Sequence, residues 1–413
     1  MGLEPQFTSD KFLFGRHSGI KFSYGKKPIG NELYFYAADI LFEGGIKWQD
    51  LKFIDYQGLP AFFLSPRSDS AMPFDVFSAT FFLISRYEEY YPHLKDEHKR
   101  FKASQSVAFQ QQFLQEPIVN IWAQNITEIL KLKFEDFKPK TSHFKFIPTI
   151  DIDNAFSYKE KGFVRVISGL MFDFFNLKSG RFKERFKVLL HRQKDPYDTY
   201  DYQIELIEKY GIHIIYFILL GDYGSFDKNV PFQNKALRSL VKFLDDYGDV
   251  GIHPSYASNS KPNMFKTEIG RLQHILNREI YYSRQHFLKL TLPQTYQRLI
   301  EADITDDFTM GYAEVPGFRA SICTPFFFYD MDLEIETGLK IHPFAIMDGT
   351  LKDYLKLEPN QTAEVYLPLI ESVKKVNGHF IVIWHNESFA DNERWKGWRA
   401  VFEDIIQKSL STK

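Results

Sequence analysis

From Phe144 onward, unbroken apolar runs alternate with stretches in which apolar residues recur every three to four positions. Unbroken runs read as strands buried on both faces, and the periodic stretches as helices that cover them. The first strand spans residues 146–150. Residues 200–210 predict a helix with Ile204, Leu206 and Ile207 on its apolar side and Gly211 as its stop. Residues 212–220 form the next strand, 236–247 the next helix, and Val250-Gly251-Ile252 the third strand. Further helices are expected over 266–276, 292–302 and 362–376, and further strands over 279–286, 304–306, 339–346 and 380–384. Strand–helix repetition of this kind implies a parallel sheet covered by helices. About seven such units fit a β/α barrel better than an open sheet.

Residues 1–140 have a different texture. Short alternating segments such as Ile46-Lys47-Trp48 and Leu51-Lys52-Phe53-Ile54 precede two helical stretches, 73–89 and 119–132. The polar, proline-bearing segment 134–142 has no periodicity and reads as a linker. Two units are expected, a smaller α/β domain over 1–140 and the barrel over 141–413. The length of 413 residues also exceeds one ordinary domain.

Composition narrows the functional classes. Formal net charge is −2, from 51 basic and 53 acidic residues, so no global field points to nucleic acid or an anionic membrane. The single cysteine, Cys323, excludes intrachain disulfides and any Cys-rich zinc site. No apolar run reaches the roughly 18 residues of a membrane span. The first residues lack the basic-then-apolar order of a signal peptide, so a soluble cytoplasmic protein is expected. Oligomeric state is not legible. Aromatic content is high, 17%, and exposed Tyr and Trp near polar clusters would suit sugar rings.

Polar residues collect where the expected strands end. Asp151 and Asp153 follow the apolar run 146–150, and strand periodicity puts both on one side. Two adjacent carboxylates repel unless a cation or a proton is shared between them. Such a pair suggests a metal site, a base beside a metal ligand, or turn aspartates capping the next element. His253, the pair Arg284 and His286, and His385 close three other strands. A lone histidine there is usually a hydrogen-bonded rim residue, but a coincidence over four strand ends is harder to explain. Asp with two His is a ligand set suited to zinc and similar divalent ions.

At these residues the chain resembles the polysaccharide deacetylase superfamily, metal-dependent carbohydrate N-deacetylases on an irregular seven-stranded β/α barrel. Thr149-Ile150-Asp151-Ile152-Asp153 is similar to the family's Thr-Phe-Asp-Asp-Gly, with one residue inserted between the carboxylates. The run Gly211 to Gly221 resembles its Gly-Val-Lys-Ala-Thr-Phe-Phe strand. Gly251-Ile252-His253 matches the start of the second motif, and Ser283-Arg284-Gln285-His286-Phe287 lies where Arg-x-Pro-Tyr belongs. Ile383-Trp384-His385 matches the closing Leu-x-His. Gly317-Phe318-Arg319-Ala320 and the segment 325–330 are similar to a divergent branch with an extra N-terminal domain, which residues 1–140 would be. One departure matters: the family's second metal histidine falls at Ala257. His286, standing where the family has proline, is the replacement expected here, with Asn259 and Ser258 as the other candidates.

The resemblance implies a metal-dependent hydrolase removing an acyl group from a carbohydrate amide. In that reading Asp153, His253 and His286 hold a divalent ion, expected to be zinc. Asp151 is the general base, His385 the general acid, and Arg284 orients Asp151 by a bidentate pair. Arg319 is a second candidate for orienting Asp151 or for meeting a charged substrate. The partner is an N-acetylated sugar or polysaccharide. A C–N hydrolase of small amides or ureides is the near alternative, and a non-catalytic carbohydrate-binding or scaffolding protein that has lost its metal is the distant one. A glycosidase using both aspartates fits less well, because carboxylates two apart on one strand cannot flank a glycosidic bond.

Overall fold

Short strands open the chain. β1 (Phe22–Gly25) pairs in parallel with β2 (Leu33–Tyr36), and β3 (Ile54–Tyr56) forms a hairpin with β4 (Leu59–Ala61). The computed structural model describes residues 5–176 and 179–411. The helix expected over 73–89 runs Val76–Ile84: Asp75 caps its start by accepting from the Phe77 and Ser78 N–H groups. It stops because Arg86 takes a left-handed conformation, after which Tyr87–Tyr90 form a 3₁₀ turn. The second expected helix runs Ile118–Lys133, and residues 138–144 hold no regular structure.

The remainder builds one large, mostly parallel sheet. Its strands are β5 (Lys145–Ile152), β6 (Ile215–Ile218), β7 (Asp249–Ile252), β8 (Tyr282–Ser283), β9 (Asp306–Asp307), β10 (Phe326–Asp330), β11 (Ile335–Ile341), β12 (Ile346–Met347) and β13 (His379–His385). They run in the order β10-β11-β9-β8-β7-β6-β5-β13-β12, and the β10–β11 hairpin is the antiparallel pair. The expected seven strands are therefore nine among the described residues. No ladder joins β10 to β12 there. Local signals explain the helices between strands. Tyr200–Tyr210 ends at Gly211, φ +61°, and Lys235–Asp245 starts where Asn234 accepts from the Leu237 N–H.

Two faces of this sheet are buried separately. Ile215 and Phe217 of β6 and Ile381 and Ile383 of β13 pack with Phe308, Phe344 and Met347 in a small inner cluster. The alternate residues, Tyr216, Ile218, Val382 and Trp384, join the large outer cluster under the helices. That outer cluster also takes in Phe35, Phe62 and Trp122 from the first 140 residues, so one apolar core is continuous along the chain. Backbone bonds cross as well, from the Val119 N–H to the Ser321 carbonyl and from the Phe318 N–H to the Leu114 carbonyl.

Candidate metal centre

Register decides which residues meet. His385 stands opposite Asp151 in the β13–β5 pair, and Ile152, Ile218, Ile252 and Ser283 form one row across β5 to β8. The next residues in three of those strands are Asp153, His253 and Arg284. Thr149 and Asp151 lie on one side of β5, and Arg284 Nη1 donates to both, at 2.7 Å and 2.8 Å. The expected bidentate pair is replaced by this single bond to Asp151, because Arg284 Nε is taken by the Phe308 carbonyl at 3.1 Å. Arg284 Nη2 is buried without a partner.

Asp153, His253 and His286 each offer a ligand atom, all within 4.8 Å of one another. His253 Nε2 lies 3.2 Å from Asp153 Oδ1, and His286 Nε2 3.5 Å from Asp153 Oδ2. Both imidazoles are fixed from behind. His253 Nδ1 donates to the Arg284 carbonyl at 2.5 Å, and His286 Nδ1 to Asp227 at 2.9 Å. A proton held on Nδ1 leaves the Nε2 lone pair facing the other ligands, the usual arrangement behind metal-bound histidines. Asp153 Oδ1 is buried with no hydrogen-bond partner, and a cation between these three groups would satisfy it. The donor set therefore fits a divalent ion.

Charge at the site points the same way. Burial opposes ionisation of Asp153, but His286 and then His253 outweigh it and hold the carboxyl well below its usual range. Burial lowers the His286 imidazole, yet Asp153 and Asp227 raise it to about 9. Protons on the imidazoles and a divalent cation are alternative ways to balance these carboxylates.

His385 faces the same cleft from β13. Its Nδ1 bonds Asp348 at 2.8 Å, its Nε2 lies 3.8 Å from Asp153, and burial is outweighed by Asp348, which raises the imidazole well above its ordinary value. Asp348 itself accepts from Ser388 and from the His385 N–H. The cleft has a volume of about 180 Å³, and Phe287, Tyr354, Trp395 and Glu387 line it beside these groups.

Three expectations about this region change. Arg319 turns away from Asp151: its Nε and Nη2 take both oxygens of Glu89, at 2.9 Å and 2.6 Å, and its Nη1 meets the Gly311 carbonyl. A guanidinium so occupied and 2% exposed is a structural tie to the first 140 residues. Asn259 and Ser258 also stay outside the cluster, the first donating to the Lys289 carbonyl and the second to that of Ser255. Ala257 contributes its N–H to Asp227, the carboxylate that holds His286. The strand expected over 279–286 shrinks to Tyr282–Ser283, and His286 enters by a kink at Phe287 and Leu288, both at positive φ.

Sequence reasoning passed over Asp227, Asp348 and Thr149. Asp348 follows the apolar pair Ile346-Met347, so a strand-end signal existed. Asp227 sits in an irregular loop and has none. Arg100 was passed over too; it reaches from the first 140 residues to the Phe287 carbonyl at 2.8 Å and the Tyr354 hydroxyl at 3.0 Å.

Residues 1–135 match a family of unknown function, DUF7033. No curated protein matches the chain. Among solved structures, a polysaccharide deacetylase from Mycobacterium smegmatis aligns with 66% of this chain and 85% of its own, at 11% identity and a TM-score of 0.41. A CE4 family pseudoenzyme from Bacillus anthracis aligns with 66% of each, at 10% identity and a TM-score of 0.32. The polysaccharide deacetylase Bc1974 from Bacillus cereus covers 65% of this chain and 87% of its own, at 12% identity and a TM-score of 0.30. The chain is similar to polysaccharide deacetylases, as its motifs are.

Proposed function

We propose that this protein is a metal-dependent hydrolase that removes an acyl group from an amide on a carbohydrate, acting from an irregular β/α barrel over 141–413 with residues 1–140 as an appended domain. One observation carries the reading: Asp153, His253 and His286 converge within 4.8 Å at a cleft flanked by Asp151 and His385. Asp153, His253 and His286 would hold a divalent ion, zinc being the best match to one carboxylate and two imidazoles. Such an ion, when bound, lowers the pKa of water and polarises a carbonyl.

The chain's own groups do the rest. Asp151, oriented by Arg284, takes the proton from the attacking water. His385, charged through Asp348, donates from Nε2 to the leaving amine. Buried Arg284 carries no substrate contact in this scheme. Tyr354, 42% exposed, offers aromatic surface to a sugar at the cleft wall. The rival non-catalytic reading drew on Ala257, and the position of His286 supplies an answer to that vacancy.

The test is acetate release from chitooligosaccharides by chelator-stripped protein before and after zinc is restored. Activity that returns with zinc and is absent in Asp153→Ala supports the reading. Stoichiometric zinc without any acyl release would redirect it to another C–N substrate, and no bound metal at all would leave the non-catalytic reading standing.

A further inference from the structure

Between β5 and β6 the chain inserts a helical hairpin, Phe163–Phe175 followed by Ser179–Leu189, that is built inside out. Helices on a water-soluble surface turn apolar residues inward and charges outward. Here Asp173, 1% exposed, faces inward and pairs with Arg185 Nε at 2.8 Å. Gly169 lets that guanidinium lie against the helix, since a Cβ there would collide with it. Phe163, Val164, Ile167, Met171, Phe174 and Phe175 recur at helical spacing along the outward face. Phe163 is 80% and Phe175 72% exposed, and Phe186 continues the patch on the second helix. A contiguous exposed patch of this kind marks a contact surface.

Its surroundings say which contact. Residues 159–194 hold ten lysines and arginines against three acidic residues, within a chain whose net charge is −2. Lys183 and Lys187 stand on the outward side of the second helix, one turn apart, beside Phe186. Phenylalanines flanked by solvated lysines match the acyl–headgroup boundary of an anionic bilayer, where rings enter and ammonium groups meet phosphate. We propose that this hairpin docks the protein on an anionic lipid surface, lying in the plane of the interface rather than crossing it. No helix among the described residues is long and apolar enough to cross a membrane. Docking also sets the cleft close to the lipid. Arg165 binds the carbonyls of Lys228 and Asn229, next to the Asp227 that holds His286.

The experiment is cosedimentation of the full chain with phosphatidylcholine vesicles, with and without phosphatidylglycerol, at low and high salt. Pelleting is expected with phosphatidylglycerol vesicles and should fall as salt rises. The double variant Phe163→Ser/Phe175→Ser, and separately Lys183→Ser/Lys187→Ser, should each lower partitioning roughly tenfold or more. Neither pair belongs to the metal cluster, so zinc content and far-ultraviolet dichroism should match the wild type. Hydrogen exchange on the unmodified protein gives a second readout: anionic vesicles should slow exchange over 163–190. Absence of pelleting, protection located elsewhere, or binding indifferent to the phenylalanine pair would overturn the proposal. So would lipid-free dimers in sedimentation velocity that Phe163→Ser/Phe175→Ser dissolves, which would make a second copy the occupant.

Discussion

Asp153 sits between three imidazoles, and the two behind the proposed ion are each held by an outer acceptor. Removing Asp153 leaves His253 and His286 without the carboxylate they share. Asp153→Ala should abolish tight zinc binding in calorimetric titration while the apolar core keeps the fold; wild-type affinity would sink the assignment. Asp227→Asn keeps the volume but weakens the acceptor behind His286, and zinc affinity should fall by roughly 10–100-fold. His385→Ala belongs to a different role. It should lower kcat by about 10²–10⁴-fold while the zinc content measured by atomic absorption stays near one, as expected of a general acid. Loss of the ion in that variant would move His385 into the ligand set.

At the scale of elements, the site depends on how closely β7 and β8 lie. Gly251 makes that approach possible, since a Cβ would stand 2.7 Å from the Tyr282 carbonyl and 2.9 Å from Phe217 Cε1. Gly251→Ala must push these strands apart, two residues before His253. A loss of about 1–3 kcal/mol in urea unfolding is expected, with weaker zinc binding alongside it. An unchanged midpoint would show that β8 shifts freely. The same elements show how far local pattern reaches. Tyr200–Tyr210 and its Gly211 stop were readable to the residue, because the stop needs only a positive φ. The strand over 279–286 was over-read: only Tyr282–Ser283 pair, and the polar run Arg284-Gln285-His286 beyond them leaves the ladder. The hairpin over 163–189 was not read at all. Its helical spacing is clear, but its apolar side faces away from the protein.

At the scale of the molecule, a buried ionic network joins the first 140 residues to the rest. Glu89 takes Arg319 on both oxygens and Arg86 Nε at 2.8 Å, while Arg86 also bonds Glu88 at 2.7 Å. Burial works against Glu89, yet Arg319 and Arg86 hold its carboxyl down at about 2. A depressed folded value means stability that is present above the unfolded pKa and is lost as pH falls. Denaturation midpoints should therefore drop as pH goes from about 4.5 toward 2, and Glu89→Gln should flatten that segment. Glu88 is pushed upward by burial and contributes in the opposite sense, so the acid limb is the one to measure. Glu89→Ala, which strands two buried guanidinium groups, should cost about 3–5 kcal/mol in urea unfolding. A cost below about 1 kcal/mol would mean water enters the network.

The strand–helix rhythm, the polar strand ends and the likeness to deacetylases are properties of sequence alone, because each depends on spacing along one chain. Asp151, Asp153, His253 and His385 could be singled out that way, as each directly follows an apolar run. What those side chains touch could not. Arg319 looked available for Asp151 until Glu89, 230 positions away, claimed its Nε and Nη2. His286 meets Asp153 through a backbone kink that Arg100 braces from the far part of the chain. Asp227 orients His286 from an irregular loop with no periodicity to betray it, and the strand end that precedes Asp348 does not tell which imidazole it holds. Hydrogen-bond partners form over about 3 Å in space and are indifferent to distance along the chain, so only the tertiary structure could assign them.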